Sequence, residues 1–164
     1  MPRARPGPRR MVEITSMQGR RLPPKYLNLF LVLSIGLHVV LPIRRILHAP
    51  YTYLGLAFIF CGVALNLWSV SCLKRQRTTN DFFEAPSQLV MDGPFRMSRN
   101  PIYLSGVATS LGVAILLGSL IAFVFPIALW VILNGLYIPI EEELLEKTFG
   151  EEYLGYKQRV RRWF

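Results

Sequence analysis

The chain has 164 residues, 52% of them apolar, and carries a net charge of +9 at pH 7. So much apolar mass and charge coexist only if they are segregated. All 19 Lys and Arg residues fall outside four long apolar stretches, which excludes an ordinary water-soluble domain and points to an integral membrane protein. Cys61 and Cys72 share one apolar stretch, where a helix rising roughly 1.5 Å per residue holds them about 16 Å apart. That spacing excludes a disulfide, and the lack of a Cys/His cluster speaks against a metal site.

In chain order, residues 1–25 are basic and Pro-rich and read as a disordered N-terminus that contacts anionic lipid rather than nucleic acid. The basic region is too long for a signal peptide, and no small-residue cleavage site follows the apolar run. Residues 26–164 read as one membrane domain. Its spans are predicted at 26–43, 51–73, 101–117 and 120–140, each near the ~20 residues a helix needs to cross a bilayer. Only Gly118 and Ser119 separate the last two, which predicts a tight antiparallel hairpin. Gly106 and Ser110, with Ala108 and Gly112, give the third span small residues for close helix packing. Pro126 is expected to kink the fourth span.

Arg44 and Arg45 lie between spans one and two, and the other 17 basic residues fall on the opposite side. The positive-inside bias then places both termini, the loop 74–100 and the tail 141–164 in the cytoplasm. The predicted fold class is therefore an all-α integral membrane protein with four transmembrane helices and a C-terminal amphipathic cytoplasmic helix. In that tail Leu145, Phe149, Tyr153, Tyr156, Val160 and Trp163 recur at helical spacing, with a break expected at Gly150. This face is expected to lie on the membrane surface or over the loop.

The polar chemistry sits in the loop and the tail. The hairpin brings their span ends together, so Asn100 and Glu141 are expected to be neighbours. Asn100-Pro101 alone is a helix start, with Asn as cap and Pro at the first helical position. Glu141, Glu142 and Glu143 follow the last span, where the helix dipole does not favour carboxylates. A solvated acidic turn paired with Lys147 or Arg99 is the plain explanation. The pairing of this cluster with an Arg-Asn-Pro helix start suggests instead a site for a ligand bearing both charge signs.

These residues carry a resemblance. The segment GPFRMSRNPIYLSG, Gly93 to Gly106, resembles the GPYRxxRHPxYxG signature of the isoprenylcysteine carboxyl methyltransferase family and its phospholipid methyltransferase relatives. The tail EEELLEKTFGEEYLGYKQRVRRW resembles the EExxLxxxFGxEYxxYxxRV signature that follows that family's last span. The matching region runs from about Thr78 to Trp163. The resemblance implies S-adenosylmethionine as cofactor and a lipophilic, membrane-borne methyl acceptor. It implies cofactor contacts from Ser87, Gln88, Leu89, Val90, Phe95, Asn100, Pro101, Ile102, Tyr103 and Glu141. Arg99, Asn100 and Glu142 are the candidate catalytic set, and Trp130, Asn134 and Tyr137 the candidate acceptor wall, with an interhelical hydrogen bond as the other use of Asn134.

Two positions depart from the pattern. Asn100 stands where many members have His, which excludes a histidine base there. Tyr137 stands where the isoprenylcysteine branch has a substrate-binding Arg. The expected location is a prokaryotic plasma membrane. The expected function is methyl transfer, and the alternative is a non-catalytic membrane interaction module that keeps the fold. No charged residue lies inside a span, so no ion pathway suggests a channel.

Overall fold

In a computed structural model, the structure describes residues 24–41, 44–75 and 88–164. Helix α1 spans Pro24–Val40. A 3-10 turn, Tyr51–Tyr53, leads into α2, Leu54–Arg75. A second 3-10 turn, Gly93–Arg96, precedes α3, Pro101–Leu117. After Gly118 and Ser119 comes a helical rod: a 3-10 turn Leu120–Phe123, α4 at Val124–Ile132, a π turn at Leu133–Tyr137 and α5 at Ile138–Phe149. Helix α6, Glu151–Arg159, ends the regular structure. The described residues contain no strand, only an isolated antiparallel bridge between Arg45 and Ser119.

Two helical rods, Tyr51–Arg75 and Leu120–Phe149, are long and apolar enough to cross a membrane. The apolar helices Asn28–Val40 and Pro101–Leu117 are shorter. Large apolar side chains lie exposed along α1, α2 and the rod, among them Val39, Phe60, Trp68 and Ile127. Apolar exposure on this scale suits contact with lipid tails rather than water.

The main contact between helices is α2 against α3. A Cβ built on Gly112 would lie 2.7 Å from both the Gly55 carbonyl oxygen and the Ile59 nitrogen, so the backbones touch where only hydrogen fits. The face of α3 that meets α2 runs through Ser105, Thr109 and Gly112, the last of them one of the small residues predicted to allow close packing. A Cβ on Gly62 would collide with Thr109 Oγ1 and Ser105 O, and Asn66 Nδ2 donates to Ser105 Oγ at 3.1 Å. Helix α1 packs on α3 and α4, with Phe30 edge-on to Phe125 at 6.4 Å between ring centroids.

The hairpin turn is closed by Gly118, whose N–H donates to Ala114 O at 3.0 Å. Its own carbonyl accepts from Ile46 and Leu47, which ties the α1–α2 connection to the hairpin.

Pro126, expected to kink the fourth span, falls near the boundary between the 3-10 turn and α4. It sits in the first turn of α4 just after a 3-10 turn, where a missing N–H costs no α-helical bond. The departure from α geometry comes later, at Leu133–Tyr137, where Ile138 N–H reaches Leu133 O across five residues. Pro139 follows immediately.

Gly150 then turns the chain. Its φ of 57° and ψ of −128° belong to glycine, and they separate α5 from α6. This break sends α6 back over the loop that enters α3. Phe149, Tyr153 and Tyr156 form a buried cluster against Leu89, Met91, Leu145 and Val160. Of the two placements open to the tail's apolar face, these contacts put it over the loop. Trp163 leaves that group and joins the core of Tyr103, Leu129, Leu133 and Ile138.

Candidate functional site

The loop entering α3 is held by backbone bonds of its own and by the C-terminal segment. Met97 and Ser98 N–H groups both donate to Pro94 O. Tyr156 Oη donates to Phe95 O at 2.6 Å. Beyond α6 the chain runs alongside the loop. Arg99 N–H donates to Arg161 O at 3.0 Å, Ser98 Oγ to Arg162 O at 3.1 Å and Asn100 Nδ2 to Arg162 O at 3.2 Å.

Asn100 is therefore not a side-chain cap. Its φ of −128° and ψ of 53° turn the amide away from the helix start, and no capping bond forms. Leu104 N–H bonds Asn100 O at 3.0 Å to open the helix, while the side chain reaches the tail. The pull of an acceptor on a third segment outweighs the local preference, since a buried amide cannot satisfy both.

The three glutamates at the start of α5 have three different surroundings. Glu143 is exposed and pairs with Lys147 one turn on, at 3.0 Å. Glu142 is buried and faces three cations. Arg162 grips it with Nε at 3.2 Å and Nη2 at 2.8 Å, Arg99 Nη1 lies 3.2 Å away and Lys157 Nζ 3.8 Å. Glu141 has one carboxylate oxygen, Oε2, that is buried without a hydrogen-bond donor. Arg99 mirrors it. Its Nε and Nη1 are buried without an aligned acceptor, although Nη1 makes the ion pair with Glu142. Glu142 and Arg99 both act on the Tyr153 hydroxyl, Arg99 also through a side-chain hydrogen bond, and Glu141 adds a smaller effect in the same direction as Glu142.

Burial pushes the Tyr153 hydroxyl well above the ordinary phenol range, and Glu142 adds to the shift. Burial does the same at Tyr156, opposed by Arg99. Raised folded values make this packing sensitive to alkali. Below about pH 10 both states keep the phenol protons. Above it the unfolded chain ionises first, so stability falls by up to ~1.4 kcal/mol per pH unit for each such tyrosine. Thermal melts in detergent from pH 8 to 11.5 are expected to show this slope, and Tyr153→Phe is expected to reduce it to the share of Tyr156.

Of the residues singled out in sequence, Ser87 lies outside the described residues. Gln88 is exposed, Leu89 packs on the tail cluster and Val90 is buried. Pro101 and Tyr103 are buried at the start of α3, while Ile102 is half-buried and its carbonyl accepts from Ser105 Oγ at 2.6 Å. Trp130 is exposed and lies 6.3 Å from Trp163, ring centre to ring centre. Asn134 Oδ1 accepts from Arg162 Nη1 at 3.3 Å and from Trp163 Nε1 at 3.1 Å, so its bonds run to the tail instead of a neighbouring helix. Tyr137 packs against the Tyr103 core.

Sequence reading missed Arg162, which counted only as one of many basic residues. The available signal was Trp163 next to it: an aromatic continuing the apolar face beyond the helix marks a segment that docks.

These unpartnered atoms can be tested against the implied cofactor. One Glu141 carboxylate oxygen lacking a donor and two Arg99 nitrogens, Nε and Nη1, lacking an aligned acceptor, all buried, suit a ligand end carrying an ammonium and a carboxylate. The amino-acid portion of S-adenosylmethionine has both, so the residues present fit the group.

Comparisons with known proteins agree in direction. A family profile described as phospholipid methyltransferase matches residues 50–152. A Haemophilus influenzae protein described as uncharacterized is 40% identical over 62 residues, covering 38% of this chain and 98% of its own length. Proteins from the indica and japonica subspecies of Oryza sativa, each described as a probable protein-S-isoprenylcysteine O-methyltransferase, are 29% identical over 112 residues. That match covers 66% of this chain, and the chain spans 58% of the length of each rice protein. No solved structure matches.

Proposed function

This chain belongs to the phospholipid methyltransferase family, and from that premise we propose that it transfers a methyl group from S-adenosylmethionine to a lipophilic acceptor within a membrane. The observation that carries the reading is that Glu141 Oε2 and Arg99 Nε are both buried without a hydrogen-bond partner. In this reading Glu141 takes the ammonium end of the cofactor and Arg99 its carboxylate. The loop residues Gln88 to Val90 and the α3 start from Asn100 to Tyr103 supply the remaining walls, with Phe95 held in place by Tyr156.

When bound, the cofactor supplies an electrophilic methyl group on a sulfonium sulfur. The chain's own contribution is to orient the reactants and keep water out. Asn100 cannot accept a proton near neutral pH, and the Glu142 carboxylate is occupied by Arg162, Arg99 and Lys157. Neither is suited to act as a base, so the acceptor must arrive as a nucleophile: a carboxylate, a thiolate or a neutral amine. Tyr137, in place of the isoprenylcysteine branch's arginine, leaves the acceptor class wider than prenylcysteine. The acceptor enters from the bilayer beside α4 and the π turn.

The same reading places four spans in a bacterial inner membrane, with loop and tail cytoplasmic. The exposed Arg96, Lys157, Arg159 and Arg161 then face anionic lipid headgroups.

Binding of S-adenosylhomocysteine by the detergent-purified protein tests the proposal. Glu141→Ala is expected to weaken binding about tenfold, the loss of one charge-assisted contact. Its melting temperature should stay near that of the wild type, because Oε2 has no partner to lose. Unchanged binding would remove the assignment. Cofactor binding without transfer to any component of total membranes would favour a non-catalytic module.

A further inference from the structure

We propose that Arg162 is the positioning residue of this site, the group that sets the helix rod, the α3 entrance and the tail in one arrangement; the inference rests on the methyltransferase reading above. Arg162 bonds with both its side chain and its backbone. The guanidinium spans two residues of the rod, Glu142 through Nε and Nη2 and Asn134 through Nη1. The carbonyl accepts from Ser98 Oγ and Asn100 Nδ2, the two polar side chains that lead into α3. One residue thus connects the carboxylate beside Glu141 to the loop that carries Arg99.

The π turn makes this bridge possible. Asn134 and Glu142 are eight residues apart in sequence. At about 100° per residue a regular α-helix would leave them roughly 80° apart around its axis. A single π turn absorbs about one residue of that rotation, which cuts the offset to roughly 20°. The turn contains Asn134 itself and closes before Glu142. Both side chains then present acceptors to one planar fork. A lysine ammonium is a single point and cannot make both contacts. Lys157, the other tail cation near Glu142, stands 3.8 Å off and makes its closer pair with Glu146.

The role predicts behaviour that a purely structural residue would not give. S-adenosylhomocysteine binding and methyl transfer are measured on the full chain in detergent, for wild type, Arg162→Ala and Arg162→Lys. Both variants are expected to bind about tenfold or more weakly, the scale on which misplaced site groups act. Guanidinium ion at a non-denaturing concentration is expected to restore part of the binding to Arg162→Ala. It should restore none to Arg162→Lys, whose ammonium fills the place. Arg162→Lys keeps the charge and the stem, so it serves if the alanine variant does not fold. A folded variant that binds like wild type, or no guanidinium effect on Arg162→Ala, overturns the proposal alone. Wild-type protein that binds no S-adenosylhomocysteine overturns the methyltransferase reading and takes the proposal with it.

Discussion

Glu142→Ala is expected to destabilise the folded protein by about 3–5 kcal/mol, the cost of leaving a buried charge without its counter-ion. Most of that loss falls on Arg99, whose side chain is 9% exposed and has no other aligned acceptor at Nε or Nη1. Arg162 and Lys157 are 32% and 38% exposed, so each can recover some water. Glu142→Gln should cost less, because the amide keeps one acceptor oxygen while its NH2 faces a guanidinium. Glu143→Ala is the control next door. Its partner Lys147 is one turn away on the surface, so the expected loss is about 0.3–0.5 kcal/mol. Thermal unfolding in detergent ranks the three. Trypsin susceptibility at Arg161 and Arg162 should rise more in Glu142→Ala than in Glu143→Ala, because Glu142 is one of the groups that hold the tail. Equal melting temperatures for Glu142→Ala and Glu143→Ala would mean that the buried cluster does not anchor the fold.

The contrast among these neighbouring glutamates also marks what was legible in sequence. Local signals held where local physics decides. Pro at the first helical position and Gly after the last bound the predicted third span at 101–117, the range of α3. Gly150 broke the tail helix as its placement in the apolar pattern suggested. Pairing of the acidic turn with Lys147 and Arg99 was likewise readable from charge and proximity. The failures came where a distant segment outbid a local preference. Asn100 has the ideal residue type for a cap, yet its amide serves Arg162 O, which lies 62 residues away. The boundary between the 3-10 turn and α4, within which Pro126 sits in the first α-helical turn, has no sequence mark of its own. The π turn carries no sequence periodicity of its own, so the alignment of Asn134 with Glu142 could not be anticipated, and with it the place of Arg162.

Gly112→Leu is expected to disrupt the α2–α3 pair altogether, and the site with it. Gly112→Ala already puts a carbon 2.7 Å from Gly55 O and Ile59 N, and both are backbone atoms that no rotamer change can move. Overpacking of this kind typically costs about 1–3 kcal/mol, and a leucine adds three more carbons to the same gap. The helices would have to separate, breaking the Asn66 to Ser105 bond two turns away. Ser105 lies one turn inside the start of α3, and the Gly93–Arg96 turn rests on α2 beside Trp68 and Cys72. A shift between α2 and α3 therefore moves both ends of the loop that holds Arg99 and Asn100 against the tail. The expected result is a large fall in melting temperature together with loss of S-adenosylhomocysteine binding. Gly36→Leu, where a Cβ meets nothing within 4 Å, should leave both nearly unchanged. If Gly112→Leu melts and binds like Gly36→Leu, the glycine contact is not what joins the helices, and the loop must take its position from the tail alone.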